Sequence, residues 1–157
     1  MRIRKARRQD LDRIQELWWE LTASHFAYDP CYYRKQSKAR CLKTARRWHR
    51  QTLRRRDRFM LVAEDRGEII GYLHAAVMPR PSFYLEKQQG IIYSLVVSQK
   101  YRRQGAAQRL LRQAAAEFRK RKIRQVVLNV ERKNQPARSL YRGAGFELRH
   151  LHLVKPL

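Results

Sequence analysis

Hydrophobic and polar positions along the chain change period several times, and each change predicts an element. Arg2-Ile3-Arg4-Lys5-Ala6 alternates as a short strand does. Leu11, Ile14, Leu17, Trp18 and Leu21 then fall on one face of a helix, which Asp29-Pro30 ends or redirects. A second, very basic helix is predicted over 36–56, with Leu42, Ala45, Trp48 and Leu53 as its narrow buried stripe. Phe59-Met60-Leu61-Val62-Ala63 reads as a strand, and 69–77 as its return strand. The turn between them, Asp65-Arg66-Gly67-Glu68, has a glycine able to take positive φ. Pro79 and Pro81 mark a loop. The run 91–97 is apolar on both faces toward its end, as a central strand would be. A helix opening at Gly105-Ala106-Ala107 buries Leu110, Leu111, Ala114, Ala115 and Phe118. A strand follows at 126–130, then a helix with Pro136 in its first turn and Gly145 as its stop. Two last strands are expected at 146–148 and 151–153. The order is that of an α/β (α+β) fold, a mixed sheet with covering helices.

Composition narrows the class. A chain of 157 residues, 43 % hydrophobic, is read as a single domain (1–157) with a real core rather than as a disordered segment. No apolar run reaches the roughly 18 residues that a membrane span needs. The charged start has no apolar region behind it, so the expectation is a cytoplasmic protein without a secretory signal. Cys31 and Cys41 are read as reduced thiols, with a disulfide left open. The five histidines do not combine with Cys or carboxylates at metal-ligand spacing, so no metal is expected.

Charge changes the picture more. The formal net charge is +24. Residues 31–58 hold twelve Lys/Arg against one acid, and 99–124 hold ten against one, while 60–98 is nearly neutral. Such a balance implies an acidic partner or adhesion to polyanions. Trp48, Tyr32 and Tyr33 interleave with the first basic run and could stack on bases, although no nucleic-acid motif is present.

Candidate chemistry concentrates in Leu95-Val96-Val97-Ser98-Gln99-Lys100-Tyr101-Arg102-Arg103-Gln104-Gly105-Ala106-Ala107. This is a buried strand, a basic loop and a helix start built from small residues. Small residues let backbone amides approach a ligand, and the amides of a helix start are unpaired and favour an anion. Arg102 and Arg103 add charge, so the fitting ligand is a phosphate or pyrophosphate. The stretch is neither a dinucleotide fingerprint nor a Walker loop.

The stretch resembles the pyrophosphate loop of the GNAT superfamily of N-acetyltransferases, [RQ]-x-x-G-x-[GA], through Arg102, Gly105 and Ala107. Downstream, Asn134, Ala137, Tyr141, Gly145 and Phe146 are similar to the family's N-x-x-A-x-x-x-Y-x-x-x-G-F. The resemblance implies a mostly antiparallel central sheet flanked by helices, and an acetyl-CoA-dependent N-acetyltransferase of the bacterial or archaeal type. It implies that main-chain groups of Leu95, Val96 and Val97 pair with the pantetheine arm. Amides of Arg103, Gln104, Gly105, Ala106, Ala107 and Gln108 would hold the pyrophosphate, and Asn134 would bond the arm. Tyr141 would donate a proton to the departing thiolate, and a strand amide at Val96 or Val97 would face the developing oxyanion. The family's strand carboxylate is missing at Ile92, Tyr93 and Ser94; Glu131, His74 and Glu86 are the substitute bases. The acceptor is expected to be a primary amine: a protein N-terminus, a lysine or a small amine. The basic run 31–58, where the family builds its acceptor wall, should repel polycations. It should favour an acidic protein or an RNA- or ribosome-associated acceptor. The family's frequent dimers make a homodimer a further expectation. The competing reading is a GNAT-like module that binds nucleic acid with weak or no catalysis.

Overall fold

The computed structural model describes residues 1–30, 32–33 and 36–155. Five strands, β1 (Arg2–Lys5), β2 (Arg58–Asp65), β3 (Glu68–Pro79), β4 (Gln88–Val97) and β5 (Val126–Leu128), form one sheet in that order. Every pairing is antiparallel except β4 with β5. The helices are α1 (Leu11–Tyr28), α2 (Lys38–Thr52), α3 (Ala106–Lys120) and α4 (Gln135–Gly143). The mixed, mostly antiparallel sheet flanked by helices agrees with the fold expected.

Alternation along the strands splits the core between the two faces. Leu61, Ala63 and Leu73 point to one face, where Leu110, Ala114 and Phe118 of α3 are buried against them. Val62, Tyr72 and Val96 point to the other, under Ile14 and Leu17 of α1. The β2–β3 hairpin closes through Arg66 (φ 48) and Gly67 (φ 82), the two positive-φ residues that match the twist of the flanking strands.

Three expectations are corrected. Segments 146–148 and 151–153 form no strand. Gly145 (φ 85) closes α4, and Phe146 N donates back to Tyr141 O at 3.0 Å. Beyond Phe146, Leu148, Leu151 and Leu153 are 77–87 % exposed. Alternation permits a strand, but only pairing with a neighbouring edge makes one. The second helix is shorter than expected, and its buried residues are Ala45, His49 and Thr52. Leu42, Trp48 and Leu53 are only half-buried. The polar pair is accommodated because each has a specific partner, described below. Finally, β4 lies next to the edge strand rather than at the centre. It pairs with β5 only over Gly90–Ile92, and this short pairing shapes the site. Cys31 lies outside the described residues; Cys41 is a free, half-buried thiol on α2.

Candidate acyl-transfer site

The parallel pairing of β4 and β5 stops at Ile92↔Leu128. Beyond it, Ser94 to Val97 stay paired to β3 alone, so the other edge of β4 is bare. A register shift between Ile92 and Ser94 leaves Tyr93 as the bulged residue. Two hydrogen bonds set the polarity of the bare edge. Ser98 N donates inward to Ile70 O at 2.8 Å, and Val97 O points outward, accepting from Arg102 Nε at 3.2 Å. Strand alternation then turns the peptide groups of Leu95 and Val97 toward the gap and those of Val96 toward β3. Of the two amides expected to face an oxyanion, Val97 stands on the open side.

Past Val97 the chain makes a tight turn, Gln99–Tyr101, pinned to the β2–β3 hairpin by Glu68. Tyr101 Oη donates to its carboxylate at 2.6 Å, and Lys100 Nζ lies 3.1 Å away. Arg102 is extended, Arg103 takes φ 62 and Gly105 φ 80. These positive-φ residues turn successive N–H groups to one side before α3 starts, an anion-binding concavity of the nest kind. Arg109 N donates to Gly105 O at 3.0 Å. The six amides before it, Arg103, Gln104, Gly105, Ala106, Ala107 and Gln108, meet no acceptor among the described residues. A Cβ on Gly105 would project into open space. Arg102, Arg103 and Gln104 are exposed there, while Ala106 is buried under the turn.

Tyr141, from α4, packs in the same cluster as Leu95 and Val97, with Phe146 edge-on at 5.8 Å. Its hydroxyl makes no hydrogen bond among the described residues. Burial pushes its pKa up to about 12, so the phenol holds its proton at neutral pH. Asn134 Oδ1 accepts from Ala137 N at 3.2 Å and caps α4. One of its side-chain groups is thereby committed to the helix.

Among the three substitute bases, His74 has no exposed surface, so no acceptor amine reaches it. Glu86 lies in the β3–β4 loop, 3.7 Å from Arg124, at the far end of β4. Glu131 stands three residues past the last pairing of β5, as Leu95 stands three past the last pairing of β4. It lies in the segment that leads from β5 to α4. Tyr33 Oη donates to Glu131 at 3.0 Å, and His25 stacks on Tyr33 at 5.5 Å. Burial, then Glu131, raises the Tyr33 pKa to about 12. Burial lowers that of His25, with Glu131 opposing. Sequence reasoning missed this trio as a unit, because Tyr33 and Glu131 are 98 positions apart and share no local pattern.

Beside the gap, α1 and α2 enclose a groove of about 540 Å³. Trp18, Ala45 and Trp48 line it, Arg40 and Arg47 flank it, and no carboxylate among the described residues contributes. Trp48 is half-buried, not a free stacking platform. Its ring lies 4.2 Å from His74 and 5.2 Å from Tyr93 of the β4 bulge, so it connects the groove to the gap.

Comparisons with known proteins agree with the fold. A family model described as Acetyltransferase (GNAT) family matches residues 8–146. The BH1408 protein of Bacillus halodurans superposes with a TM-score of 0.82 at 18 % identity, over 100 % of both chains. A predicted acetyltransferase of Clostridium acetobutylicum, solved with acetyl-CoA, gives 0.79 at 19 %, over 99 % of this chain and 95 % of that one. The aminoglycoside 6'-N-acetyltransferase AAC(6')-IG of Acinetobacter haemolyticus gives 0.74 at 20 %, over 100 % and 99 %. At these identities the likeness is one of fold. No curated protein matches the sequence at a significant level.

Proposed function

The chain belongs to the GNAT acetyltransferase family, and we propose that it is an acetyl-CoA-dependent N-acetyltransferase, residues 1–157 acting as one cytoplasmic domain on a primary amine. One observation carries this reading: the bare edge of β4 runs directly into six unpaired amides at the start of α3. That is the shape of a ligand with an amide-rich arm and a pyrophosphate. The open space at Gly105 leaves room for the phosphates, and Arg102 and Arg103 add charge.

When bound, acetyl-CoA supplies the acetyl group as a thioester. The chain's own residues do the rest. Leu95 and Val97 hold the arm as an added strand would be held, and Val97 N–H stabilises negative charge at the carbonyl oxygen. Asn134, beyond its capping bond, has an amide NH₂ to offer the arm. Tyr141 gives its proton to the leaving sulfur. Glu131, in the segment after β5, accepts the proton that the amine must lose, and Tyr33 orients it. No enzyme nucleophile is needed, since the amine attacks the thioester directly.

The groove narrows the acceptor. With Arg40 and Arg47 at its sides and no acid in its lining among the described residues, polycations such as aminoglycosides are repelled. A protein N-terminus, a lysine or a small amine fits better when it is carried on an acidic protein or presented beside RNA or the ribosome. A homodimer is the assembly expected from the family.

The test is calorimetric titration of acetyl-CoA into nucleic-acid-free protein at moderate and high salt, followed by acetylation assays on acidic peptides with free N-termini. One-site binding that survives high salt, with turnover on an acidic peptide, is the expected result. Binding that vanishes with salt would mean that net charge alone attracts the phosphates.

A further inference from the structure

At the end of the sheet opposite the acyl site, a separate surface is assembled from three connecting segments. Strand β2 begins there, β3 ends, β4 begins and β5 begins. Segments 53–57, 80–87 and 121–125 are thereby brought side by side. Named contacts tie them together. Arg121 Nη1 donates to Arg56 O at 2.6 Å, Arg80 Nη1 to Gln125 Oε1 at 3.0 Å, and Val77 N to Asp57 O at 2.7 Å. Nine strand steps separate Gln88 from Val97, which is roughly 30 Å of strand. The surface is therefore remote from the amides of α3.

Two features coincide on it. The first is charge: residues 54–58, 80–87 and 117–124 hold eleven Lys/Arg against three acids, and eight of the eleven are arginines. Arg54, Arg119 and Lys122 are exposed and form no ion pair among the described residues. The second is a built aromatic tip. The β3–β4 loop is held by Arg80 N to Lys87 O at 2.9 Å, and by Lys87 Nζ donating to Ser82 O at 2.7 Å and Tyr84 O at 3.0 Å. Arg80 lies over the Tyr84 ring at 3.8 Å. On this braced loop Phe83 is 81 % exposed. With Tyr84 and the 87 % exposed Leu85 it makes three consecutive exposed apolar residues rimmed by charge, the kind of patch that marks an interaction site.

We infer that this end of the molecule docks single-stranded RNA, the abundant single-stranded polyanion of a cell, with guanidinium groups on its phosphates and Phe83 stacked on a base. Arginine dominance favours phosphate forks and base stacking over a lipid surface, where lysine serves equally well. The surface uses none of the acyl-site residues, so the inference does not depend on the proposed transferase activity.

Fluorescence anisotropy with a labelled 12-nucleotide oligouridylate, at a series of salt concentrations, tests it. Phe83→Ala should weaken binding about tenfold, within the range for one lost base stack. Arg54→Glu with Arg119→Glu should weaken it tenfold or more and flatten the salt dependence. A double variant at the opposite end, Arg2→Glu with Arg66→Glu, changes the net charge equally and should leave affinity within about twofold. Acetyl-CoA affinity should be unchanged in Phe83→Ala and in Arg54→Glu with Arg119→Glu, whose positions are remote from the amides of α3. Equal losses in the two double variants would overturn the assignment, leaving net charge as the only cause. It would also fail if Phe83→Ala left RNA binding intact but released the protein from phosphatidylserine vesicles, because the tip would then be a membrane anchor.

Discussion

Acidification from pH 7 to 5 should cost this fold about 4 kcal/mol through two buried histidines. His49 and His74 have no exposed surface, and their rings lie 5.5 Å apart. The hydroxyl of Thr52 gives its hydrogen to Trp48 O at 3.1 Å, so at 2.9 Å its oxygen accepts from His74 Nε2. His74 Nδ1 is then the bare nitrogen, and it has no partner among the described residues. A second proton would sit in the core without an acceptor. The side-chain amide of Gln15 lies 2.7 Å from His49 Nδ1, and His49 Nε2 is likewise unpartnered. Burial lowers the His49 pKa to about 4. Burial, then the charges of His49 and Arg58, lowers that of His74 to about 3. In the unfolded chain both return to about 6.5. Between these limits the unfolded state binds more protons. Stability is therefore complete above pH 6.5 and falls as the pH drops below it. At about 1.4 kcal/mol per pH unit, each histidine forfeits about 2 kcal/mol by pH 5, a large part of a typical domain's 5–15 kcal/mol. Urea unfolding at pH 7 and pH 5, followed by tryptophan fluorescence, measures the loss. His74→Gln, which keeps a donor near Thr52, should be less stable at pH 7 yet lose about 2 kcal/mol less on acidification. A wild-type loss below about 1 kcal/mol, or an identical loss in the variant, would refute the account.

The other predictions concern the site and its support. Gly105→Leu adds a side chain at φ 80 in the space before the free amides; calorimetry should show acetyl-CoA binding abolished, and unchanged affinity would reject the loop as the pyrophosphate site. Tyr141→Phe removes a hydroxyl with no partner among the described residues, so the melting temperature and acetyl-CoA affinity should stay near wild type while kcat falls; an unaltered rate would take Tyr141 out of the acid role. Glu131→Gln should lower kcat most at low pH, where fewer acceptor amines arrive neutral, and a uniform pH profile would argue against its role as base. Gly90→Ala places a Cβ 2.6 Å from the Phe118 ring and should cost about 1–3 kcal/mol by overpacking, readable as a lowered urea midpoint.

Much of the fold and of the candidate site was legible in local pattern, because each part depends on residues close together in the chain. Helix α1 follows from the spacing of Leu11, Ile14 and Leu17. The hairpin turn follows from Gly67, and the α3 start from Arg102, Gly105 and Ala107. A conformation such as φ 80 at Gly105 is a property of one residue and its neighbours, so sequence alone determines it.

Tertiary structure decided what depends on which segments meet. The alternating leucines after Phe146 satisfied the strand period but found no paired edge. The polar His49 and Thr52 became the buried face of α2 only because Gln15 and His74 arrived opposite them. Glu131 became a distinguished carboxylate only when β5 parted from β4 after Leu128 and Tyr33 closed over it. The basic end of the sheet collects arginines from three segments that look like separate solvated runs. Periodicity and backbone preference are short-range properties and can be read along the chain. Burial, partnership and the focusing of charge are pair properties of residues tens of positions apart, and only folding brings those pairs together.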